Sequence, residues 1–209
     1  MAIAGAAGNA GASALGGTDG SGGVGGSAGS GVTATGGVGG SQSLPDADTP
    51  AGNIVPNPSF ELESDDWVPW NSHVVVRTSS GPCSGSWCLV SSGRRESWQG
   101  PAFNMAAYVT PGQRYVVTAW ARVSVPEDQL SIAMKVLCRE ASDTTTASQW
   151  FPVAAVRRVT NVWGSLNGTF TAPECEAPKQ LQDLDLVFEG SAAGVDIYID
   201  DVLIVPSDE

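Results

Sequence analysis

The sequence predicts an all-β fold, a two-sheet antiparallel β-sandwich of the jelly-roll kind, preceded by a disordered glycine-rich tail. Three observations predict it. After Asn53, short runs that alternate apolar and polar residues recur at regular intervals, with turn residues between them. No stretch carries a convincing helical period. The composition also breaks sharply: no aromatic residue precedes Phe60 and no Lys or Arg precedes Arg77, whereas all seven Trp, three Tyr and five Phe fall at or after Phe60.

The first 52 residues are expected to be a linker. Up to about residue 40 they are almost only Gly, Ala, Ser, Thr and Val, which bury too little apolar surface to offset the entropy of ordering a backbone. A coil of this kind spans roughly 40 Å root-mean-square over about 50 residues, stiffening near Pro45 and Pro50. Its start, MAIAGAAGNAG, lacks the charged and apolar regions of a signal peptide, so an export signal or lipid anchor is expected to lie outside this chain. No run approaches the ~18 apolar residues that cross a membrane. Residues 53–206, about 150 in number, form the expected domain, enough for one independent core. Residues 207–209 are a tail.

Within the domain, NIVPNPSFE (53–61) reads as a first strand, followed by Trp67 in a loop. Then come HVVVRT (73–78), SWCLVSS (86–92), AFNMAA (102–107) and RYVVTAWARV (114–123). The last of these is the clearest, with Tyr115, Val117, Ala119, Ala121 and Val123 on one face and Val116, Thr118, Trp120 and Arg122 on the other. SIAMKVLCR (131–139), WFPVAAV (150–156), SLNGTFTA (165–172), LDLVFEG (184–190) and DIYIDDVLIV (196–205) complete the set. Turns are marked by Ser-Gly at 80–81, Pro-Gly at 111–112 and Pro-Glu-Asp at 126–128.

Charge and cysteine content exclude several functions. A net charge of −12, with arginines only as the isolated doublets 94–95 and 157–158 beside single residues, argues against nucleic acid, which requires clustered cations. The four cysteines fit disulfides in an oxidising compartment better than metal or redox chemistry. Four residues separate Cys83 from Cys88, too many for a thioredoxin-type motif, and a second zinc-ligand pair is missing. Pairing Cys83 with Cys88 and Cys138 with Cys175 is the preferred one of three connectivities. The chain is expected to be a monomer outside the cell or on a bacterial surface.

Six segments, taken in order, carry a family likeness. They are NIVPNPSFE, SGSWCLV, GRRESWQGPAFNM, PGQRYVVTAWARV, WGSLNGTFTAP and LDLVFEGSAAGVDIYIDDV. Together they resemble carbohydrate-binding modules of the families numbered four, nine and twenty-two, cellulose- and xylan-binding domains with a galactose-binding-like jelly roll. The resemblance implies a cleft across the concave sheet that holds a polysaccharide, and it picks out Arg94, Trp98 and Glu189, with Trp150 or Phe151 as a further contact; Trp70, which departs from the family pattern, is an extra stacking surface or a cover for the sandwich edge. A pyranose offers a C–H face that packs on an indole, while its hydroxyl rim suits charged partners. The family's packing positions fall on Trp120 and Trp163, expected in the core. Where xylan-binding members place Arg-Gly in the first loop, this chain has Trp70 and Asn71, which leaves the preferred sugar open between xylan and β-glucan.

The same resemblance implies a structural Ca²⁺ held by Glu61, Asp200 and Asp201, since hard carboxylate oxygens suit that ion. The expected partner is a polysaccharide, with a tethered catalytic module or surface anchor upstream. A hydrolytic triad is disfavoured because the single histidine, His73, has no nucleophile motif near it. The other readings are a structural or adhesive surface sandwich without sugar binding, and a polysaccharide-degrading enzyme, including a lyase that uses His73 with a tyrosine. A sugar binder should expose at least two aromatic residues in a groove; a spacer should bury them.

Overall fold

A computed structural model of the chain describes residues 51–208, apart from 64, 65, 72, 145 and 146. The expected linker thus lies outside the described residues except for Ala51 and Gly52. The strands are β1 (Trp67–Pro69), β2 (Val74–Thr78), β3 (Cys88–Ser92), β4 (Pro101–Asn104), β5 (Arg114–Val123), β6 (Glu127–Arg139), β7 (Gln149–Thr160), β8 (Gly164–Thr171), β9 (Gln180–Glu189) and β10 (Ile197–Pro206). They form two antiparallel five-stranded sheets, in the orders β1-β4-β9-β6-β7 and β2-β3-β10-β5-β8. Among the described residues no helix is long and apolar enough to cross a membrane.

Period-two alternation builds the core. On β5, Val117, Ala119, Ala121 and Val123 are fully buried and meet Ile197, Ile199 and Ile204 of β10, while Ile132, Leu184, Leu186 and Phe188 close the interior from the other sheet. Trp67 belongs to β1, not to a loop, and is buried against Phe103, Phe188 and Phe60 at ring distances of 5.4, 5.9 and 5.8 Å. Trp120 is a correction in the opposite sense. It follows the polar face of β5 and stands 38% exposed, and Trp163 is half-buried beside Arg122 with its indole N–H donating to the Gly81 carbonyl.

The first predicted strand runs beside β10 but is not a strand. Ile54 donates to the Ile204 carbonyl and Val202 to that of Pro58, across a bulge in β10 between Asp200 and Leu203. Pro56 and Pro58 remove two of the N–H groups that a ladder would need.

The cysteines divide. Cys138 and Cys175 form the expected disulfide, whereas Cys83 and Cys88 are free thiols. The turn that a Cys83–Cys88 bridge would have closed is held by acids instead: Cys83 and Ser84 donate backbone N–H groups to Asp200 Oδ2, and Ser84 Oγ donates to Asp201. Burial and the Asp200 charge push both thiols up to about 11, which favours the protonated thiol at neutral pH.

Arg94 is a second correction. It is 3% exposed, and its guanidinium donates only to backbone carbonyls: Nε to Gln99 (2.6 Å), Nη1 to Val195 (2.8 Å) and Ala192 (3.3 Å), Nη2 to Ser191 (2.8 Å), Ser97 (3.1 Å) and Glu96 (3.4 Å). A planar fork with five N–H donors suits converging carbonyls, and none is left for a sugar. Burial lowers its pKa, while Asp128 and Asp196 raise it. The residue therefore clamps the 94–99 loop to the 191–195 loop. Arg94→Lys keeps the charge but loses the fork, and should cost about 3 kcal/mol, roughly a 10 °C fall in melting temperature by calorimetry. An unchanged melting temperature would show that the carbonyls do not depend on it.

Candidate functional site

The outward face of the β1-β4-β9-β6-β7 sheet carries a groove of about 630 Å³. Its floor follows from the β6–β9 register, which sets Ser131 opposite Glu189, Ala133 opposite Val187 and Lys135 opposite Asp185. Small side chains at the centre of the floor leave the depression. Pro152 of β7 lies opposite Ala133, and Trp150 opposite Lys135, so the next strand raises an aromatic wall.

Five of the six side chains predicted for sugar contact line this one groove: Trp70, Trp98, Trp150, Phe151 and Glu189. Arg94 alone lies outside it. Trp98, Trp150 and Phe151 are 42, 43 and 41% exposed, a large cost in apolar surface for a monomeric domain unless something covers it. Trp70 and Trp150 meet edge to face at 5.5 Å and 80°, and the Lys135 ammonium sits 4.5 Å over the Trp70 ring. Trp70 is tied to the neighbouring loop by its N–H, which donates to the Gly100 carbonyl. Trp98 is placed by the clamped 94–99 loop, where Ser97 accepts from the Gly190 N–H at 2.7 Å. Gly100 must be glycine here, because a Cβ would overlap the Phe188 carbonyl oxygen at the end of β9.

Glu189 supplies the polar part. It ends β9 half-buried, burial raises its pKa, and among the described residues no hydrogen bond or ion pair engages its carboxylate. An unpartnered carboxylate beside exposed indoles can accept hydrogen bonds from ligand hydroxyls at little loss of existing contacts. Next to the groove lies a polar cluster not foreseen from the sequence. The Lys135 ammonium is 3.3 Å from Asp185 and 3.8 Å from Asp183, and Asn104 donates to Asp183 at 3.5 Å. Burial raises the Asp185 pKa, and Lys135 opposes that rise. The alternation Ser131, Ala133, Lys135 along β6 was the available signal. His73 is half-buried, its pKa lowered chiefly by burial, and it is not among the groove residues.

Glu61, Asp200 and Asp201 converge on one loop elsewhere in the molecule. Glu61 Oε1 accepts the N–H groups of Ser86 (2.8 Å) and Trp87 (2.9 Å), while Asp200 accepts those of Cys83 and Ser84. Asp200 is fully buried, and burial first, then Asp201, push its pKa up to about 6 despite three backbone N–H donors that oppose the rise. Among the described residues no cluster of three acid, histidine or cysteine side chains is close enough to hold a metal alone.

Comparison with known proteins identifies the family. Endo-1,4-beta-xylanase A of Thermotoga maritima is 32% identical over 152 residues, and the same enzyme of Thermotoga neapolitana 31% over 153. In both cases the match takes 73% of this chain and 14% of the relative, so the chain spans only a small part of those proteins. The CBM22-1 xylan-binding domain from Paenibacillus barcinonensis Xyn10C shares the fold at a TM-score of 0.60 and 21% identity, over 71% of this chain and 90% of that one. A family 22 xylan-binding domain does so at 0.63 and 16%, over 76 and 97%. The family model described as "Carbohydrate binding domain" matches residues 52–194. With the groove, the fold and this match in agreement, the chain belongs to the carbohydrate-binding domain family CBM_4_9, as a non-catalytic binding module.

Proposed function

We propose that the domain binds a β-linked plant polysaccharide, xylan or β-glucan, along the groove of the β1-β4-β9-β6-β7 sheet. The observation that carries the reading is the grouping of three exposed aromatic side chains with the unpartnered Glu189 carboxylate in one depression. Trp98, Trp150 and Phe151 would stack on pyranose faces, and Glu189 would accept from hydroxyls. The relatives, named as xylanases and xylan-binding domains, support a xylan-type ligand. Trp70 and Asn71 in the first loop support β-glucan as the other candidate, because Trp70 adds apolar surface where an arginine would read hydroxyls. The domain works outside the cell, beside a catalytic module or a surface anchor carried by the same protein. A disulfide and a match to a short portion of larger xylanases support that setting.

The acid-rich loop supports a structural Ca²⁺. Its donor set is hard oxygen, and a divalent cation would offset the charge of the buried Asp200 beside Asp201. Glu61, Asp200 and Asp201 would share the ion with backbone carbonyls, since the side chains do not form a complete cage. The ion would brace the loop; it has no part in sugar contact.

Four outcomes test these readings. Trp98→Ala should weaken binding to xylan or β-glucan by about 2 kcal/mol, roughly thirtyfold in Kd by calorimetry, with the fold intact. A domain that binds neither polysaccharide, nor cellulose or mannan, on an affinity gel would favour the adhesive reading. Calcium should raise the melting temperature over that in chelator, and an unmoved midpoint would remove the ion from the account. The pH dependence in chelator has a defined sign. Because the folded-state pKa of Asp200 stands above its unfolded value near 3.8, the folded state keeps a proton that the unfolded chain has released. Its contribution to stability is therefore present at low pH and lost as pH rises from about 4 through about 6. Glu189 and Asp185, also raised, act in the same sense. The melting temperature should fall between about pH 4 and about pH 6 in chelator, and Asp200→Asn should flatten that slope.

A further inference from the structure

A second groove of about 590 Å³ lies at the side of the sandwich where the edge strands β7 and β8 meet. Phe151 and Pro152 line both this groove and the first, so the apolar surface is continuous around the edge of β7. Beyond them it runs over Met134 and Phe170 to Pro173, with Thr171 and Glu174 as exposed polar groups at its rim. Met134 and Phe170 are buried beneath it, so its exposed aromatic is the shared Phe151, with Thr171 and Glu174 as groups that can meet hydroxyls.

The second groove is rigidly built. Gly168 lets β8 approach β7, since a Cβ there would overlap the Val153 carbonyl. Phe170 stacks on Tyr115 at 5.2 Å. The far wall is fixed by Gly112 N–H to the Ala172 carbonyl (2.9 Å) and Ala172 N–H to the Gln113 carbonyl (2.8 Å). The Cys138–Cys175 disulfide then ties the segment just past this wall to β6. A preformed surface binds with little ordering cost.

We propose that the second groove takes further units of the same polysaccharide chain, which leaves the first groove over Phe151 and Pro152 and bends around the sheet edge. This rests on the polysaccharide reading of the first groove. The continuity of the two linings selects a chain-like ligand that is longer than one groove, as opposed to a separate small molecule.

The test is an affinity ladder of β-1,4-xylo-oligosaccharides and β-gluco-oligosaccharides, from about two to eight units, measured by calorimetry. It compares the unaltered domain with Thr171→Lys and Glu174→Lys, two long changes without an aromatic face at exposed positions of the second groove. Affinity of the unaltered domain should still rise beyond the trimer. In both variants the rise should stop near the trimer, costing about fivefold or more for the hexamer while trimer affinity stays within about twofold. Circular dichroism checks the fold, and either variant alone suffices. A plateau at the same length in all three proteins, or equal loss at every length, would overturn the extension while leaving the first groove as the binding site. Binding of no oligosaccharide at any length by the unaltered domain would overturn both readings.

Discussion

The guanidinium of Arg94 organises the business end of this domain. Its N–H groups collect carbonyls from two loops that share no strand pairing, and the side chain is buried by the loops it joins. One of those loops carries Trp98 and leads through Gly100 into β4; the other follows directly from Glu189. The distance between the stacking ring and the carboxylate is thus set by one cation and a set of peptide dipoles. Such a device is costly in desolvation, and tolerable because every donor finds a partner.

That arrangement also shows where the sequence was legible. Strands β5, β8 and β10 were readable almost to the residue, because an alternating strand with one buried face has only one way to point its apolar side chains. The groove aromatics were found through a family likeness, and the register of β6 with β7 and β9 explains why residues distant in sequence share one surface. Arg94 was misread for a physical reason. An arginine in a loop of polar residues is equally suited to a ligand and to backbone carbonyls, and nothing local distinguishes them. Trp120 was misassigned although its own alternation had already placed it on the outward face. The Cys83–Cys88 pairing rested on spacing, which says nothing about where the intervening N–H groups turn.

The electrostatics are economical. The groove region has little free positive charge: the Lys135 ammonium beside it is engaged by Asp183 and Asp185 and lies over Trp70. Its principal free polar group is an acid with no counter-ion. Stacking and hydroxyl acceptance are therefore what this surface can offer. The acidic loop is a separate matter, since it gathers carboxylates around backbone N–H groups on the other sheet.

The way the backbone enters and leaves the domain has a mechanical consequence. Gly52 comes within van der Waals range of Pro206, were it to bear a Cβ, and Ile54 bonds to Ile204, so the two ends of the folded unit emerge side by side along β10. That strand sits in the middle of the sheet that faces away from the groove. The first and last described segments are thus held to each other along β10, and pulling them apart would load this one short seam before the rest of the sandwich.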